Sequence, residues 1–239
     1  MDRKILLSVL TGALLAFVGI WMLLSAFPDE RAGIRLYPWD VSRTTDGRVR
    51  VFDLTLGESS LADLRAVVGE DGKLSLFAET SSEGADRDFT VEAYFDNILL
   101  SNLKADWVAS LEVAQTELSG MYDRGLRASK LSSGSRKVTL DPEDAQTLAS
   151  APIRSLTYLP WKSLRPEDIV GRFGEPARKI TEERDVVHWL YPRKGLDIAR
   201  DTDGGVVIQY LNRPQYERAV QLLETASSAA DQAQEGEAQ

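Results

Sequence analysis

The chain contains a single histidine, His188, and this imidazole is the side chain best suited to acid–base chemistry near neutral pH. A Ser-His-Asp triad would require it, but no serine lies in a nucleophile-elbow motif. The chain contains no cysteine, and one histidine alone cannot form an ordinary zinc site. We therefore predict no catalytic residue, no metal site and no cofactor, and we expect that the protein is not an enzyme.

Carboxylates gather at one predicted turn, where Glu182, Glu183 and Asp185 lie close together in the sequence. A pair of carboxylates can hydrolyse a glycosidic bond, but a run of acidic residues at a turn more often forms a solvated loop. The sequence contains neither a P-loop nor the glycine-rich dinucleotide fingerprint. A role in binding is therefore the favoured hypothesis.

The strand predicted around His188 separates a core face from a polar face. Trp189 and Tyr191 should pack beneath the helices, whereas His188 is out of phase with them and points to the opposite side. Asp197 and Gln209 occupy the matching polar positions of the next two predicted strands. We predict that His188, Asp197 and Gln209 form the face that contacts a partner.

The body that would carry this face follows an apolar N-terminal segment. Ile5–Phe27 contains no charged residue and, as a helix, could span a hydrocarbon core of about 30 Å. Basic residues precede the segment at Arg3 and Lys4, and acidic residues follow it. This bias predicts a single-pass inner-membrane protein with a cytoplasmic N-terminus and a periplasmic C-terminal body. A cleaved signal peptide is the alternative, although Leu24 and Pro28 make a poor cleavage site.

Small residues recur every four positions along the predicted membrane helix. They are Ser8, Gly12 and Ala16, with Gly19 nearby. This spacing permits close contact between helices in lipid, so the residues are a candidate dimer face; ordinary membrane composition is the alternative. The predicted partners are thus the lipid bilayer, a second copy through this helix, and an envelope protein that the sequence does not identify. The formal net charge of −9 disfavours nucleic acid.

Composition divides the chain into segments. We predict a cytoplasmic tip, a transmembrane helix, a stalk, a first α+β module, a linker, a second α+β module and a disordered tail, with bounds 1–4, 5–27, 28–50, 51–123, 124–137, 138–226 and 227–239. The linker is rich in Gly, Ser and basic residues, and the tail is acidic and rich in Ala and Gln. The predicted fold class is α+β, with an N-terminal transmembrane helix followed by two small helix-plus-antiparallel-sheet modules.

Capping residues and apolar periodicity predict the elements of both modules. Ser60 should cap a short helix over 61–68 that ends at Gly69. A longer helix is predicted over 105–122, because apolar residues from Trp107 onward step by three or four positions. Further helices should begin near Asp141, Arg165 and Pro214. The predicted strands are 49–56, 74–78, 89–95, 138–140, 153–159, 186–191, 196–200 and 206–211.

Residues 166–211 follow a family pattern: a short helix ending in Gly-x-Pro, a strand with Trp-x-Tyr, and two further strands around a turn. These motifs are Phe173-Gly174-Glu175-Pro176, Trp189-Leu190-Tyr191, Leu196-Asp197-Ile198 and Asp203-Gly204-Gly205-Val206. The stretch resembles the SmpA/OmlA family of small outer-membrane-assembly lipoproteins and the fold group that includes the β-lactamase-inhibitor protein. Residues 61–70 form a weaker second copy of its first helix.

The resemblance implies a two-layer α+β shape and a tendency to bind other proteins, with structural roles for Gly174, Pro176, Trp189 and Tyr191. The first hypothesis is a membrane-anchored periplasmic interaction or scaffold protein, an accessory of envelope assembly. The alternative is an envelope enzyme or inhibitor module acting in cell-wall metabolism, and a third hypothesis is a module that binds a small envelope ligand. Buried ionisable groups in a deep cleft would favour the enzyme, and an aromatic patch on an open sheet would favour the scaffold.

Overall fold

Apolar and polar residues alternate along much of the chain, and antiparallel β-sheet is accordingly the dominant structure. The computed structural model describes residues 36–80, 87–132, 134–182 and 185–237. In β6 (Leu103–Leu111), for example, buried residues alternate with partly exposed ones from Ala105 onward. Each such strand presents one face to the core and the other to solvent or to a covering helix.

Within these ranges the chain forms thirteen strands and five α-helices. The strands are β1 (Ser42–Arg43), β2 (Val49–Val51), β3 (Leu54–Thr55), β4 (Lys73–Thr80), β5 (Arg87–Leu100), β6 (Leu103–Leu111), β7 (Arg127–Lys130), β8 (Arg136–Thr139), β9 (Ile153–Pro160), β10 (Arg178–Thr181), β11 (Val187–Tyr191), β12 (Leu196–Arg200) and β13 (Val206–Leu211). The helices are α1 (Leu61–Val68), α2 (Gln115–Arg124), α3 (Pro142–Thr147), α4 (Pro166–Phe173) and α5 (Arg213–Glu237).

Strands β1–β3 form a small antiparallel sheet, and the other ten described strands form one large sheet in the order β10-β11-β12-β13-β9-β6-β5-β4-β8-β7. Strand β9 lies between β6 and β13, so that Tyr158 is opposite Trp107 on one side and Ile208 on the other. Leu36–Gln239 accordingly form one compact unit.

This topology shows that the predicted fold class, a transmembrane helix followed by two small helix-plus-sheet modules, is wrong. The described chain is mostly sheet, and strands from both predicted modules belong to the same large sheet. The physical reason is β9, because its backbone pairs with β6 and thereby satisfies hydrogen-bonding groups that would otherwise form an open edge between the halves.

The core lies on the face of the large sheet that carries Trp107. The small sheet and helices α1, α2 and α4 cover this face, and Phe52 reaches the Trp107 ring at a centroid separation of 4.3 Å. Helix α5 packs on the opposite face, where Tyr216 joins a second apolar cluster with Leu190 and Leu211. One face of the large sheet is therefore covered. The other face is covered only over β10–β13, where α5 packs.

Helix α1 begins and ends where the sequence predicts. The Ser60 hydroxyl accepts a hydrogen bond from the Asp63 N–H at 3.2 Å, and the Asp63 carboxylate accepts one from the Ser60 N–H at 2.8 Å. Gly69 ends the helix with a φ of 76°, in the left-handed region that favours glycine. Local capping chemistry was sufficient to define this element.

The predicted helix over 105–122 is wrong in its first half. Leu103–Leu111 form β6, which pairs with β5 and β9, and only Gln115–Arg124 form a helix. Buried residues recur at every second position from Ala105 to Leu111, a strand period that coincides with the helical spacing of Trp107 and Leu111. Pairing on both sides decides the outcome in favour of the strand.

The segment predicted as a linker, 124–137, contains β7 and part of β8, which extend the large sheet beyond β4. Asp96-Asn97, a residue pair typical of turns, is an irregularity within β5, where Asn97 has a φ of 60°. The chain reverses instead at Ser101 and Asn102, both of which also have positive φ.

Residues from Pro38 onward, part of the predicted stalk, are bound to the last strand of the large sheet. The hydroxyl of the buried Tyr210 donates a hydrogen bond to the Pro38 carbonyl at 2.7 Å. The Asn212 side chain accepts a hydrogen bond from the Val49 N–H at 2.8 Å and donates one to the Leu56 carbonyl at 2.9 Å. The N-terminal part of the described chain is thus an integral part of the fold.

The predicted membrane span, Ile5–Phe27, lies outside the described residues, as do Ser8, Gly12, Ala16 and Gly19. In the ranges that are described, no helix combines the length and the apolar character needed to cross a bilayer. The longest of them, α5, carries charged residues in its first turns, such as Arg213 and Glu217. The predicted single-pass, transmembrane signal-anchor thus has no counterpart among the described helices.

Candidate functional site

An exposed tryptophan, Trp161, follows β9 at one end of the large sheet and is 54% exposed. Its indole N–H donates a hydrogen bond to Asp106 Oδ1 at 2.8 Å, and Lys104 Nζ lies 3.7 Å from the ring centroid. The backbone N–H of Trp161 donates to the Lys104 carbonyl at 3.0 Å. These contacts hold a solvent-exposed ring in one position.

Asp106 of β6 organises this end of the sheet. Its carboxylate also accepts hydrogen bonds from the Tyr94 hydroxyl at 3.0 Å and from the Asn97 N–H at 2.9 Å. Burial raises the pKa of Asp106, but the hydrogen bonds from Asn97, Trp161 and Tyr94, together with the charge of Lys104, lower it further, so the pKa lies below its usual value. The irregularity of β5 at Asn97 supplies the backbone donor.

Two further exposed residues surround this carboxylate. Tyr94 is 37% exposed and Leu99 is 69% exposed, and the β5–β6 register pairs Leu99 with Lys104. Directly paired residues of an antiparallel sheet share a face, so Leu99 and Lys104 are neighbours on the surface. We refer to Tyr94, Leu99, Lys104 and Trp161, arranged around Asp106, as the aromatic patch.

The aromatic patch continues into the part of the sheet that α5 does not cover. Partly exposed residues of β5, β6 and β9 form this surface, which we call the open face: Thr90, Glu92, Val108, Ser110, Ser155 and Thr157. Burial among its neighbours, followed by the negative charge of Glu79, raises the pKa of Glu92 despite the opposing charge of Lys137. The open face is otherwise composed of small side chains.

A cavity of about 520 Å³ opens beside the aromatic patch, and we call it the end cavity. Its apolar lining includes Trp39, Leu103, Tyr158 and Leu164. Trp39 stacks on Tyr37 with ring centroids 4.8 Å apart and packs against the core. The volume is within the range of small-molecule pockets, which run from about 300 to 1,000 Å³.

Cations predominate among the charged residues that line the end cavity. Lys104, Lys162 and Arg172 are basic, and Asp168 is the acidic residue among them. The Asp168 carboxylate is already paired with the Arg165 guanidinium at 3.0 Å. In a chain with a net charge of −9, this gives the end cavity a local excess of positive charge.

The predicted partner residues lie elsewhere, on strands β11, β12 and β13 of the large sheet. His188 Nδ1 is 2.8 Å from Asp197 Oδ2, and His188 Nε2 is 3.3 Å from Glu182 Oε2. Burial lowers the pKa of His188, but the hydrogen bond and charge of Asp197, and then those of Glu182, outweigh it, so the pKa lies above the ordinary value of 6.5. Both ring nitrogens are therefore occupied by carboxylates.

The structure places His188, Asp197 and Gln209 on one face, since Asp197 is paired with Gln209 and lies next to His188. That face is not free at this point. The side chains of His188 and Asp197 are only 11% and 5% exposed, and Tyr216 of α5 lies close enough for the charge of Asp197 to contribute to its raised pKa of about 12, after the larger effect of burial.

The residues of the Trp-x-Tyr and Gly-x-Pro motifs are structural. Trp189 is buried in the main core, as is Ile169 of α4, whereas Val220 of α5 packs on the opposite face in the cluster under that helix. The Tyr191 hydroxyl donates a hydrogen bond to the Gly174 carbonyl at 3.0 Å. Gly174 has a φ of 82°, which explains why glycine ends α4, and Pro176 then leads the chain into β10.

Within the described ranges, no group of three or more His, Asp or Glu residues is arranged to hold a metal ion. Comparison with protein-family models, curated proteins and solved structures finds no match to this chain. The resemblance to the SmpA/OmlA family therefore stays a prediction. The surfaces that bear on function are the aromatic patch, the open face and the end cavity.

No sequence pattern identified Trp161, Tyr94 or Leu99 as residues of a functional site. One signal was available, because Trp161 directly follows the apolar strand 153–159 and Pro160 without belonging to any apolar period. Its partner Asp106 fell within the segment that was predicted as a helix. The error over 105–122 thus concealed the residue around which the aromatic patch is built.

Proposed function

We propose that the protein is an interaction protein that binds a protein partner through the aromatic patch and the adjoining open face. The observation that carries this proposal is the fixed but exposed ring of Trp161. Its hydrogen bond to Asp106 and its contact with Lys104 hold it in place without burying it.

An aromatic ring that stays exposed contributes little burial energy to the fold, so its exposure favours a role in binding. Tryptophan and tyrosine are the residue types that most often dominate the binding energy of interfaces. A ring that is already fixed loses little conformational freedom on binding, so more of the contact energy remains for the complex. Leu99 and Tyr94 enlarge the surface on which a partner side chain can pack.

The charges at the two edges of the large sheet favour the face over the edges as the binding surface. Edge strand β7 carries Arg127 and Lys130, and edge strand β10 carries Arg178 and Lys179. Basic residues on edge strands discourage the pairing of a further strand. The open face carries no such basic residues, and its small side chains allow a partner to approach closely.

Site-specific photo-crosslinking in the native cells tests the proposal. Full-length chain carrying p-benzoylphenylalanine in place of Leu99 is irradiated, and crosslinked proteins are identified by mass spectrometry. Leu222 of α5 provides the matched control, because it is 62% exposed against 69% for Leu99 and lies on the helix that covers β10–β13, outside the patch.

We expect one crosslinked partner at position 99 that is absent at position 222. Trp161→Ala and Asp106→Asn should each reduce this product about tenfold, since removing an interface anchor typically costs 1.4 kcal/mol or more, roughly tenfold in affinity. Equal crosslinking at both positions, or a product that is indifferent to Trp161→Ala, would refute the proposal.

A further inference from the structure

A tyrosine hydroxyl is available in the lining of the end cavity. Tyr158 is 3% exposed and lines the end cavity, yet its hydroxyl makes no hydrogen bond to any described residue. Burial raises its pKa to about 12, so the group is a neutral hydroxyl that can both donate and accept. A hydroxyl that lines a cavity and makes no hydrogen bond within the fold is available to a ligand atom.

The side chain of Arg172 is positioned for an anion in the same lining. Its guanidinium carbon lies 4.1 Å from the Trp39 ring centroid, a cation–π contact that holds the group against the lining of the end cavity. Arg172 donates no hydrogen bond to a described residue and forms no ion pair with one. A guanidinium that is oriented but uncommitted can bind a carboxylate or phosphate through two parallel hydrogen bonds.

Lys162 adds a second cation to the same lining and likewise has no ion-pair partner among the described residues. The apolar walls formed by Trp39, Leu103 and Leu164 leave room for a ring or an alkyl chain between the cations and Tyr158. A small-molecule site usually combines apolar walls with a few polar or charged groups, and the lining of the end cavity has both.

We propose that the end cavity binds a small organic anion, in which a carboxylate or phosphate contacts Arg172 and Lys162 and an aromatic or apolar body carries a polar group to the Tyr158 hydroxyl. This site is additional to the protein-binding surface and does not depend on it. Trp161 and Lys104 border both, whereas Arg172, Lys162 and Tyr158 belong to the end cavity alone.

Calorimetric titration of the full-length protein with probes of equal shape tests the charge requirement. Phenylpropionate, phenylpropionamide and phenylpropylamine share one body and differ in the charge of the head, and phenyl phosphate distinguishes phosphate from carboxylate. We expect the better of the two anions to bind about tenfold more tightly than the amide, and the amine not to bind. Arg172→Gln and Lys162→Gln should each remove most of this preference.

The para-hydroxy derivative of phenylpropionate tests the contribution of the Tyr158 hydroxyl. It should bind more tightly than phenylpropionate to the wild type, and Tyr158→Phe, which removes a hydroxyl without a partner in the fold, should abolish that advantage.

Lys137→Gln is the matched control for the two cation variants. Lys137 of β8 is a cation near an aromatic ring, 5.8 Å from the Phe77 centroid, and it lies outside the end cavity.

Equal affinity for the anion and the amide, or an anion preference that survives both Arg172→Gln and Lys162→Gln, would overturn the proposal. Circular dichroism establishes that each variant folds, and the two exposed cations give independent variants should one of them fail. Tyr94→Ala separates this proposal from the previous one, since Tyr94 belongs to the aromatic patch and does not line the end cavity. In the chain with p-benzoylphenylalanine at position 99 it should disrupt partner crosslinking, and it should leave anion binding unchanged.

Discussion

The most direct consequence of the fold is that both halves of the chain should unfold together, and Trp107 is the residue with which to test it. Trp107 is fully buried on β6, and it faces Tyr158 of β9 across the junction between the two halves of the large sheet. Replacing it with alanine opens a cavity at this junction, beside the ring of Tyr158.

The expected loss follows from two opposing contributions. Truncating a buried tryptophan to alanine typically costs about 3–5 kcal/mol. The indole N–H of Trp107, however, is enclosed without a hydrogen-bond partner in the described residues, and an unpaired buried donor costs about 1–3 kcal/mol. We therefore expect Trp107→Ala to lower the free energy of unfolding by about 2 kcal/mol. Trp107→Phe removes the same donor but keeps a ring against Phe52 and Tyr158, so its effect should stay within about 1.5 kcal/mol.

Urea denaturation of the full-length chain, followed by circular dichroism and by hydrogen exchange of β4 and β12, measures this effect. Because β9 joins both halves, every signal should report a single transition, and Trp107→Ala should shift all of them equally. The exposed Leu222→Ala serves as control and should change stability by less than about 0.5 kcal/mol. A separate transition in which β10–β13 keep their wild-type stability would show that the halves are independent modules.

Three further perturbations have defined outcomes. His188 has a raised pKa, so its two carboxylate contacts stabilise the fold fully below about pH 6.5, and thermal denaturation should show this contribution disappearing as the pH rises through the folded-state pKa, but not in His188→Gln. Trp189→Ala should lower stability by about 3–5 kcal/mol in urea, and an unchanged midpoint would contradict its place in the core. Gly195→Ala should destabilise more than Gly69→Ala in the same assay, because both have positive φ but only at Gly195 would the new Cβ meet a backbone atom, the Leu211 carbonyl oxygen.

Elements with strong local signals were predictable from the sequence. Ser60 and Gly69 define α1 through hydrogen bonds within a few residues, and α4 has Pro166 at its first position and Gly174 after its last. The strand bearing Trp189 was similarly clear from its alternation. In each case the information that determines the element lies within the element or directly beside it.

The union of the two halves was not predictable in this way. Whether β6 is a strand depends on β5 and β9. Strand β9 lies 51 residues further along the chain, as the pairing of Trp107 with Tyr158 shows. The aromatic patch has the same origin, because Asp106 meets Trp161 only when β9 has joined the sheet. The predicted partner face failed to be open for a related reason, since the position of α5 over Asp197 is a tertiary property.

The hydrogen bonds that tie Pro38, Val49 and Leu56 to the end of β13 have a consequence for biosynthesis. Translation delivers the N-terminal sheet first, but Tyr210 and Asn212, which close it against the rest of the molecule, come at the end of β13, with α5 still to follow. The growing chain must therefore carry an unfinished N-terminal sheet until nearly all of the polypeptide has emerged. A nascent chain arrested before Tyr210 would expose that sheet to the edge strands of its neighbours, so premature termination should yield aggregates rather than a folded N-terminal fragment.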